Sequence, residues 1–200
     1  MDAELVLATH NAHKVEELRL ILEDALPEVV VGGYDGPEPV EDGVSFADNA
    51  LIKARAAAEH TGRIALADDS GICVDILGGS PGIFSARWSG TRDDQANVAL
   101  LLTQLADIRD PHRTAHFTCA IAVVVPGGDG RDAVEHVVTG DWEGRLAGGP
   151  SGIGGFGYDP IFVPDGHDGT VAELPAEVKG EQSHRARALK ALVPVLSDLL

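Results

Sequence analysis

The sequence predicts an α/β protein, and three observations carry that reading. Strand-like and helix-like runs alternate from the N-terminus onward. Two long strand-like runs, Thr114 to Val125 and Ala133 to Trp142, bracket Pro126-Gly127-Gly128-Asp129-Gly130 in the manner of a hairpin, which makes the expected sheet a mixed one. Neither an internal repeat nor a long linker divides the 200 residues, so a single domain over 1–200, or one domain with two lobes, is expected.

Glu4 to Ala8 is a short apolar strand, and Thr9 to His13 is a polar turn into a helix. Val15, Leu18, Ile21, Leu22 and Ala25 recur on one face of that helix, which Pro27 ends. Val29-Val30-Val31 is the next strand, and Gly36 to Gly43 is a loop rich in Pro, Gly and acid. Ser45, with Asp48 three residues on, has the pattern of a capping box opening a second helix. That helix runs through Asn49, Lys53 and Ala57 to about His60 and stops at Gly62. Ile64 to Asp68 and Ile72 to Ile76 read as two strands on either side of an Asp-Ser-Gly turn. Leu77 to Gly90 reads as a loop, and Asp94 to Ala106 as a helix. Gly148 to Gly157 is glycine-rich, and Tyr158 to Val163 is expected as a short strand. A final helix starts near Ser183, with Leu189, Leu192, Val193, Leu196, Leu199 and Leu200 as its buried stripe and Pro194 as a local kink.

The formal net charge of −17 argues against nonspecific binding to nucleic acid or to an anionic membrane, while leaving room for a small anionic ligand held by a few local cations. Of the four lysines, Lys14, Lys53 and Lys179 fall in the polar clusters described next; Lys190 does not. Cys73 and Cys119 sit in apolar runs and read as reduced core cysteines. No secretory signal or long apolar span is apparent, so a cytoplasmic location is expected.

Ala67-Asp68-Asp69-Ser70-Gly71 is the most chemically pointed segment. Adjacent carboxylates at the end of an apolar strand repel unless a cation or a shared proton relieves them. Mg²⁺ suits such a place, because it takes carboxylate oxygens, waters and phosphate oxygens together. The Thr9-His10-Asn11-Ala12-His13-Lys14 turn leads into a helix N-terminus, where free N–H groups and the helix dipole favour an anion. It is not a Walker loop, whose Gly-x-x-x-x-Gly-Lys-Ser/Thr pattern is absent. Glu41 lies in an acidic loop, and Lys53 projects from the helix after it. Gly152 to Asp159 is a flexible backbone with two aromatics and an acid: Phe156 can stack on a base, and Asp159 can accept from a base N–H. Arg185, beside His184, can donate to a base carbonyl. The pairs His10–His13 and His112–His116 lack the Glu or Cys partners of a zinc site, and Ser70 and Ser151 lack a nucleophile elbow.

Six motifs in order carry a resemblance. They are Thr9-His10-Asn11-x-x-Lys14, Ser45-Phe46-x-x-Asn49-Ala50-x-x-Lys53-Ala54, Ala67 to Gly71, Gly79-x-Pro81-Gly82-x-x-Ser85-Ala86-Arg87, Gly154 to Pro160, and Ser183-His184-Arg185. From about Leu5 to the last helix the chain closely resembles the inosine triphosphate pyrophosphatases, also called dITP/XTP pyrophosphatases. The resemblance implies an elongated two-lobed α/β fold, with a mixed central sheet flanked by helices and the active site in the cleft between lobes. It also implies a homodimer that hydrolyses ITP, dITP and XTP to the monophosphate and pyrophosphate with Mg²⁺, cleansing the nucleotide pool. Thr9 to Lys14 would hold the phosphates, Glu41 and Asp69 would hold Mg²⁺, and Lys53 would help neutralise the polyphosphate. Asp69 would also serve as general base, and Ser70 would contact substrate. Phe156, Gly157, Tyr158 and Asp159 would frame the base, with Lys179, His184 and Arg185 closing over it. His10 stands where a small residue is usual in the resembled pattern. A carboxylate cannot freely be both tight metal ligand and base, which makes Asp68 a candidate to share one task.

Two rival readings are a Maf-like nucleotide pyrophosphatase and a nucleotide-binding protein without turnover. The Gly-Gly-Phe-Gly-Tyr-Asp and Ser-His-Arg motifs weigh against the first, and the presence of Glu41 and Asp69 weighs against the second.

Overall fold

The computed structural model of the chain describes residues 3–10, 12–128 and 130–200. Its elements in chain order are β1 (Ala3–Leu7), α1 (Ala12–Ala25), β2 (Val29–Gly33), α2 (Phe46–Thr61), β3 (Ile64–Val74), α3 (Asp94–Gln104), β4 (Thr114–Val125), β5 (Val134–Leu146), β6 (Phe162–Pro164), α4 (Ala176–Gln182) and α5 (His184–Leu199). The strands form one six-stranded sheet in the order β2-β1-β3-β4-β5-β6. β1 runs parallel to β2 and to β3, with Leu5 opposite Val31 and Leu7 opposite Leu66; β6 runs antiparallel to β5, with Phe162 opposite Leu146. The sheet is therefore mixed, and the α/β class holds.

The caps of α2 are those its sequence requires. The Ser45 hydroxyl accepts from the Asp48 N–H at 3.1 Å and donates to the Asp48 carboxylate at 2.8 Å. At the other end Gly62, at φ 66°, donates to the Ala58 carbonyl. A cap of this kind contributes about 1 kcal/mol.

Several expectations are corrected. Asp68 to Gly71 is not a turn between two strands: β3 runs unbroken from Ile64 to Val74, because ladder hydrogen bonding overrides the local turn preference of Asp-Ser-Gly. Asp75–Leu77 is a short 3-10 turn and not the end of a strand, and a second such turn, Gly82–Arg87, orders part of the expected loop. Asp159–Ile161 is also a 3-10 turn, opened by a proline that has no N–H for a ladder, so β6 starts only at Phe162. β5 extends past Trp142 to Leu146. α4 escaped sequence reading, since it is short and holds Gly180. In the helical stripes, Leu18, Leu22, Leu189, Leu192 and Leu196 are buried as expected, whereas Ala25 and Leu200 are exposed at chain positions where their helices end. The side chain of Ile21 lies outside the described residues.

The chain divides into two compact units, Met1–Asp69 with Ala120–Thr139 and Ala188–Leu200, and Ser70–Cys119 with Gly140–Arg187. The core of the first is built from small side chains. Ala50, Ala54, Ala57 and Ala58 of α2 pack with Val6 of β1, Ala65 and Ala67 of β3, and Ala120, Ala122 and Val124 of β4. The core of the second is large and aromatic. Phe162 meets Phe117 and Trp142 edge-on, with ring centroids 4.8 and 5.9 Å apart, beside Ile72, Leu101, Leu105 and Leu146. In this unit the buried Arg113 donates to four carbonyls, those of Leu105, Ile108, Leu146 and Ala147, at 2.8 to 3.0 Å. Cys73 and Cys119 are buried and form no disulfide. Among the described residues no helix is long and apolar enough to cross a membrane.

Two outcomes follow from these cores. Arg113→Met strands carbonyls in an apolar setting, and urea denaturation should show a loss of about 3 kcal/mol or more. Burial, with the Asp141 charge adding to it, pushes the Cys73 thiol up to about 11. The raised value keeps the thiol protonated near pH 8, so peptide mapping should find iodoacetamide labelling of Cys73 about a hundredfold slower than that of free cysteine. The rate should climb about tenfold per pH unit while pH stays below the thiol's value, and a flat profile would contradict the assignment.

Candidate active site

In a strand, alternate side chains share a face. Ala65, Ala67 and Asp69 of β3 therefore form one row, and the two alanines of that row pack with α2. Asp69 continues the row to where α2 presents polar side chains instead. The Asn49 amide, buried to 1% exposure, donates to Asp69 Oδ2 at 3.1 Å, and its oxygen accepts from the Gly43 N–H at 2.9 Å. One helical turn further along α2, Lys53 Nζ stands 3.7 Å from Asp69 Oδ1 and 2.8 Å from Glu41 Oε1. The Glu41 loop comes this near because of Gly43, where an added Cβ would lie 2.6 Å from the Asp48 side chain and 2.7 Å from the Asn49 amide oxygen.

The electrostatics follow from this packing. Burial pushes the Asp69 carboxyl above the ordinary carboxylate value; the charges of Glu41 and Asp68 act the same way, and Lys53 and Asn49 oppose them. Burial works against the Lys53 charge, but Asp69, Glu41 and Asp68 outweigh it and hold the ammonium above its usual value. A carboxyl with a raised value holds a proton more readily than an ordinary carboxylate does. Asp68 and Asp69 leave β3 on opposite faces, so the pair does not make the single two-carboxylate end that adjacency in the sequence predicted. Among the described residues, no group of three or more His, Cys, Asp or Glu side chains gathers as a metal nest. The donors that do converge on one cation are the oxygens of Glu41 and Asp69. That set fits Mg²⁺, which uses one or two carboxylates together with substrate phosphate oxygens.

Of the turn before α1, Thr9 donates its N–H to the Leu7 carbonyl. The His10 ring lies parallel to Tyr34 with centroids 6.0 Å apart, and its nitrogens reach the Gly36 carbonyl and the Glu38 carboxylate, each at 3.2 Å. The ring is thus engaged by the 34–38 segment. Asn11 lies outside the described residues, as do the side chains of Ala12, His13 and Lys14.

The second unit holds the remaining candidates. Ser70 follows Asp69 in β3 and is half-buried. The Gly152–Asp159 loop is fastened from beneath at several points. Thr170 donates to the Ser151 carbonyl, Ser151 donates to Glu173, and the Gly154 N–H donates to the Ala172 carbonyl. Asp94, in the first turn of α3, accepts from the Gly157 N–H at 2.9 Å, and the Tyr158 hydroxyl donates to the Ser85 carbonyl at 2.9 Å. Asp159 is buried, and its Oδ2 takes the Phe156 N–H and the Lys179 ammonium. Gly155, at φ 72°, leaves space for that carboxylate, which any Cβ there would strike. Phe156 is left 67% exposed, with Lys179 Nζ 4.5 Å from its ring centre. His184 stacks on Phe117 at 4.8 Å, and Arg185 is half-buried beside it in the first turn of α5.

The structure thus brings Glu41, Lys53 and Asp69 together in one unit, and Phe156, Asp159 and Lys179 together in the other. Sequence reading gave no role to Asn49, although its position one turn before Lys53 was a usable signal. Nor did it find Asp94, Ser85 and Thr170, which anchor a loop far from them in sequence.

A sequence profile of the Ham1 family matches residues 5–195, and the chain belongs to that family. It is 61% identical over 196 residues to a dITP/XTP pyrophosphatase of Leifsonia xyli subsp. xyli, covering 98% of this chain and 96% of that protein. A dITP/XTP pyrophosphatase of Streptomyces coelicolor is 57% identical over 201 residues, covering 98% of each chain. Among solved structures, the Staphylococcus aureus Ham1 protein matches with a TM-score of 0.86 and 36% identity over 98% of this chain and 100% of the other. The nucleoside-triphosphatase, or dITP/XTP pyrophosphatase, of Mycobacterium abscessus matches with a TM-score of 0.81 and 49% identity over 96% and 99%.

The Asn49 geometry makes a further expectation. Asn49→Ala should cost about 1–2 kcal/mol in urea denaturation, through the bonds lost to Asp69 and Gly43. Asn49→Asp should cost more than Asn49→Ala at pH 8, because it sets a further carboxylate against Asp69. The gap between the two variants should narrow at pH 4, where protonation relieves the repulsion.

Proposed function

We propose that this protein hydrolyses non-canonical purine nucleoside triphosphates, dITP, ITP, XTP and dXTP, to the monophosphate and pyrophosphate with Mg²⁺, keeping them out of DNA and RNA. The observation that carries the proposal is the convergence of Glu41 and Asp69 on Lys53, in a Ham1-family chain whose relatives are named dITP/XTP pyrophosphatases. Attack on a polyphosphate needs positioning and charge neutralisation more than covalent chemistry.

In this reading Thr9 to Lys14 receive the phosphates at the start of α1, and Lys53 adds its charge to them. Glu41 and Asp69 would hold Mg²⁺, which supplies electrostatic stabilisation to the phosphate oxygens. Asp69, whose carboxylate Asn49 orients, takes the proton of the attacking water, with the neighbouring Asp68 the candidate to share the metal task. Ser70 contacts the substrate. Phe156 offers its exposed ring to the base within the frame of Gly157, Tyr158 and Asp159, and Lys179, His184 and Arg185 close over the base. Hypoxanthine and xanthine carry an oxygen at C6, where adenine has an amino group. Donors such as Arg185 and His184 reward that oxygen and leave adenine unpaired. The reading also includes a cytoplasmic homodimer, which rests on family resemblance and which light scattering on the purified protein checks.

The direct test is product analysis with purified protein, Mg²⁺, and dITP, XTP, dGTP and dATP side by side. Pyrophosphate with monophosphate from dITP and XTP, and little from the other two, is the expected result; orthophosphate or no turnover overturns it. Asp69→Asn should abolish turnover while circular dichroism shows a folded protein. Lys53→Ala should weaken triphosphate binding more than monophosphate binding, and equal effects would remove Lys53 from the phosphate site.

A further inference from the structure

We infer that Lys53 is a resident counter-ion of the Glu41–Asp69 pair, so that the site resists a bare divalent metal and admits one only when a polyphosphate arrives to take the lysine. This rests on the reading of Glu41 and Asp69 as metal ligands. The geometry is that of one cation shared by two acids. Nζ is 2.8 Å from Glu41 Oε1 and 3.7 Å from Asp69 Oδ1, and the lysine side chain is only 18% exposed. Asn49 holds the other oxygen of Asp69, which leaves Oδ1 as the oxygen turned to the lysine.

A divalent ion needs those same oxygens, at about 2.0–2.1 Å for Mg²⁺. It cannot take them while the ammonium sits between them. Expelling the ammonium without a new partner strands a part-buried charge, which is costly. A polyphosphate removes that cost, because its oxygens receive Lys53 as the carboxylates turn to the metal. Metal and polyphosphate then bind with positive coupling, and by linkage each raises the affinity for the other. Lys53 thereby sets the order of assembly in addition to contributing charge. It also lets the two acids pack near each other in the protein alone, where they would otherwise repel.

The test is calorimetric titration of the metal-free protein with Mn²⁺ alone. Lys53→Met keeps the aliphatic stem and removes the charge. It should bind Mn²⁺ about tenfold or more tightly than the natural chain. Lys53→Gln should do the same, guarding against an effect of packing, with circular dichroism confirming the fold of each. Adding Glu41→Gln to Lys53→Met should abolish the gain. A second titration uses preformed Mn²⁺–imidodiphosphate, which the natural chain should bind far better than Mn²⁺ alone. Equal Mn²⁺ affinity in the natural chain and both Lys53 variants overturns the inference and leaves the metal ligands standing, whereas a gain that survives Glu41→Gln overturns the inference and removes Glu41 from the metal site. Absence of Mn²⁺ binding in every form, with imidodiphosphate as well as without, overturns the metal assignment itself.

Discussion

The contact on which the candidate chemistry depends is the packing of α2 against β3. Ala50, Ala54, Ala57 and Ala58 gather with Ala65 and Ala67 in one cluster built mostly from alanine methyl groups. The same strand row that buries Ala65 and Ala67 delivers Asp69, and the same helix delivers Asn49 and Lys53 one turn apart. The site is thus a continuation of the core, in which the last apolar pair gives way to an acid, an amide and an ammonium. Because the helix is hydrogen-bonded internally and the strand to its neighbours in the sheet, none of the three side chains depends on a loop for its position. Glu41 does, and it is fastened through Gly43 and Asn49.

The second unit solves a different problem. A run as rich in glycine as Gly152 to Gly157 has little order of its own. It is held by contacts from elsewhere in the unit: Thr170 and Ala172 beneath, Asp94 at the start of α3, and Ser85 through Tyr158. Asp159 turns inward and gathers both Phe156 and Lys179, so an exposed aromatic ring and its neighbouring cation are positioned by a buried acid. Buried as it is, Asp159 supports the two residues that flank it in the proposed base frame.

Much of the fold was legible because its signals are local. Ser45, Asp48 and Gly62 marked α2 to within a residue, and the β4–β5 pair followed from two long strand-like runs around a glycine-rich turn. What was misread has two causes, a local preference overridden by pairing at a distance and a local breaker or short element passed over. Asp-Ser-Gly favours a turn in isolation, yet β3 continues through it, and the two aspartates part to opposite faces. Tyr158 to Ile161 is apolar enough for a strand, but Pro160 has no N–H to give one. The residues of the candidate site were legible as types and in their order. Their partners were not, since Asn49 with Gly43, Asp94 with Gly157 and Ser85 with Tyr158 are pairings that only folding makes.

Arg113 adds a contrast with Lys53. Its guanidinium donates to four backbone carbonyl dipoles, whereas the lysine sits between full negative charges. Dipoles anchored in backbone cannot leave, and the planar fork of a guanidinium meets several of them at once. That part of the second unit is therefore a fixed rivet of the architecture. In a chain as acidic as this one, the distinction separates positive charge used for architecture from positive charge available for exchange.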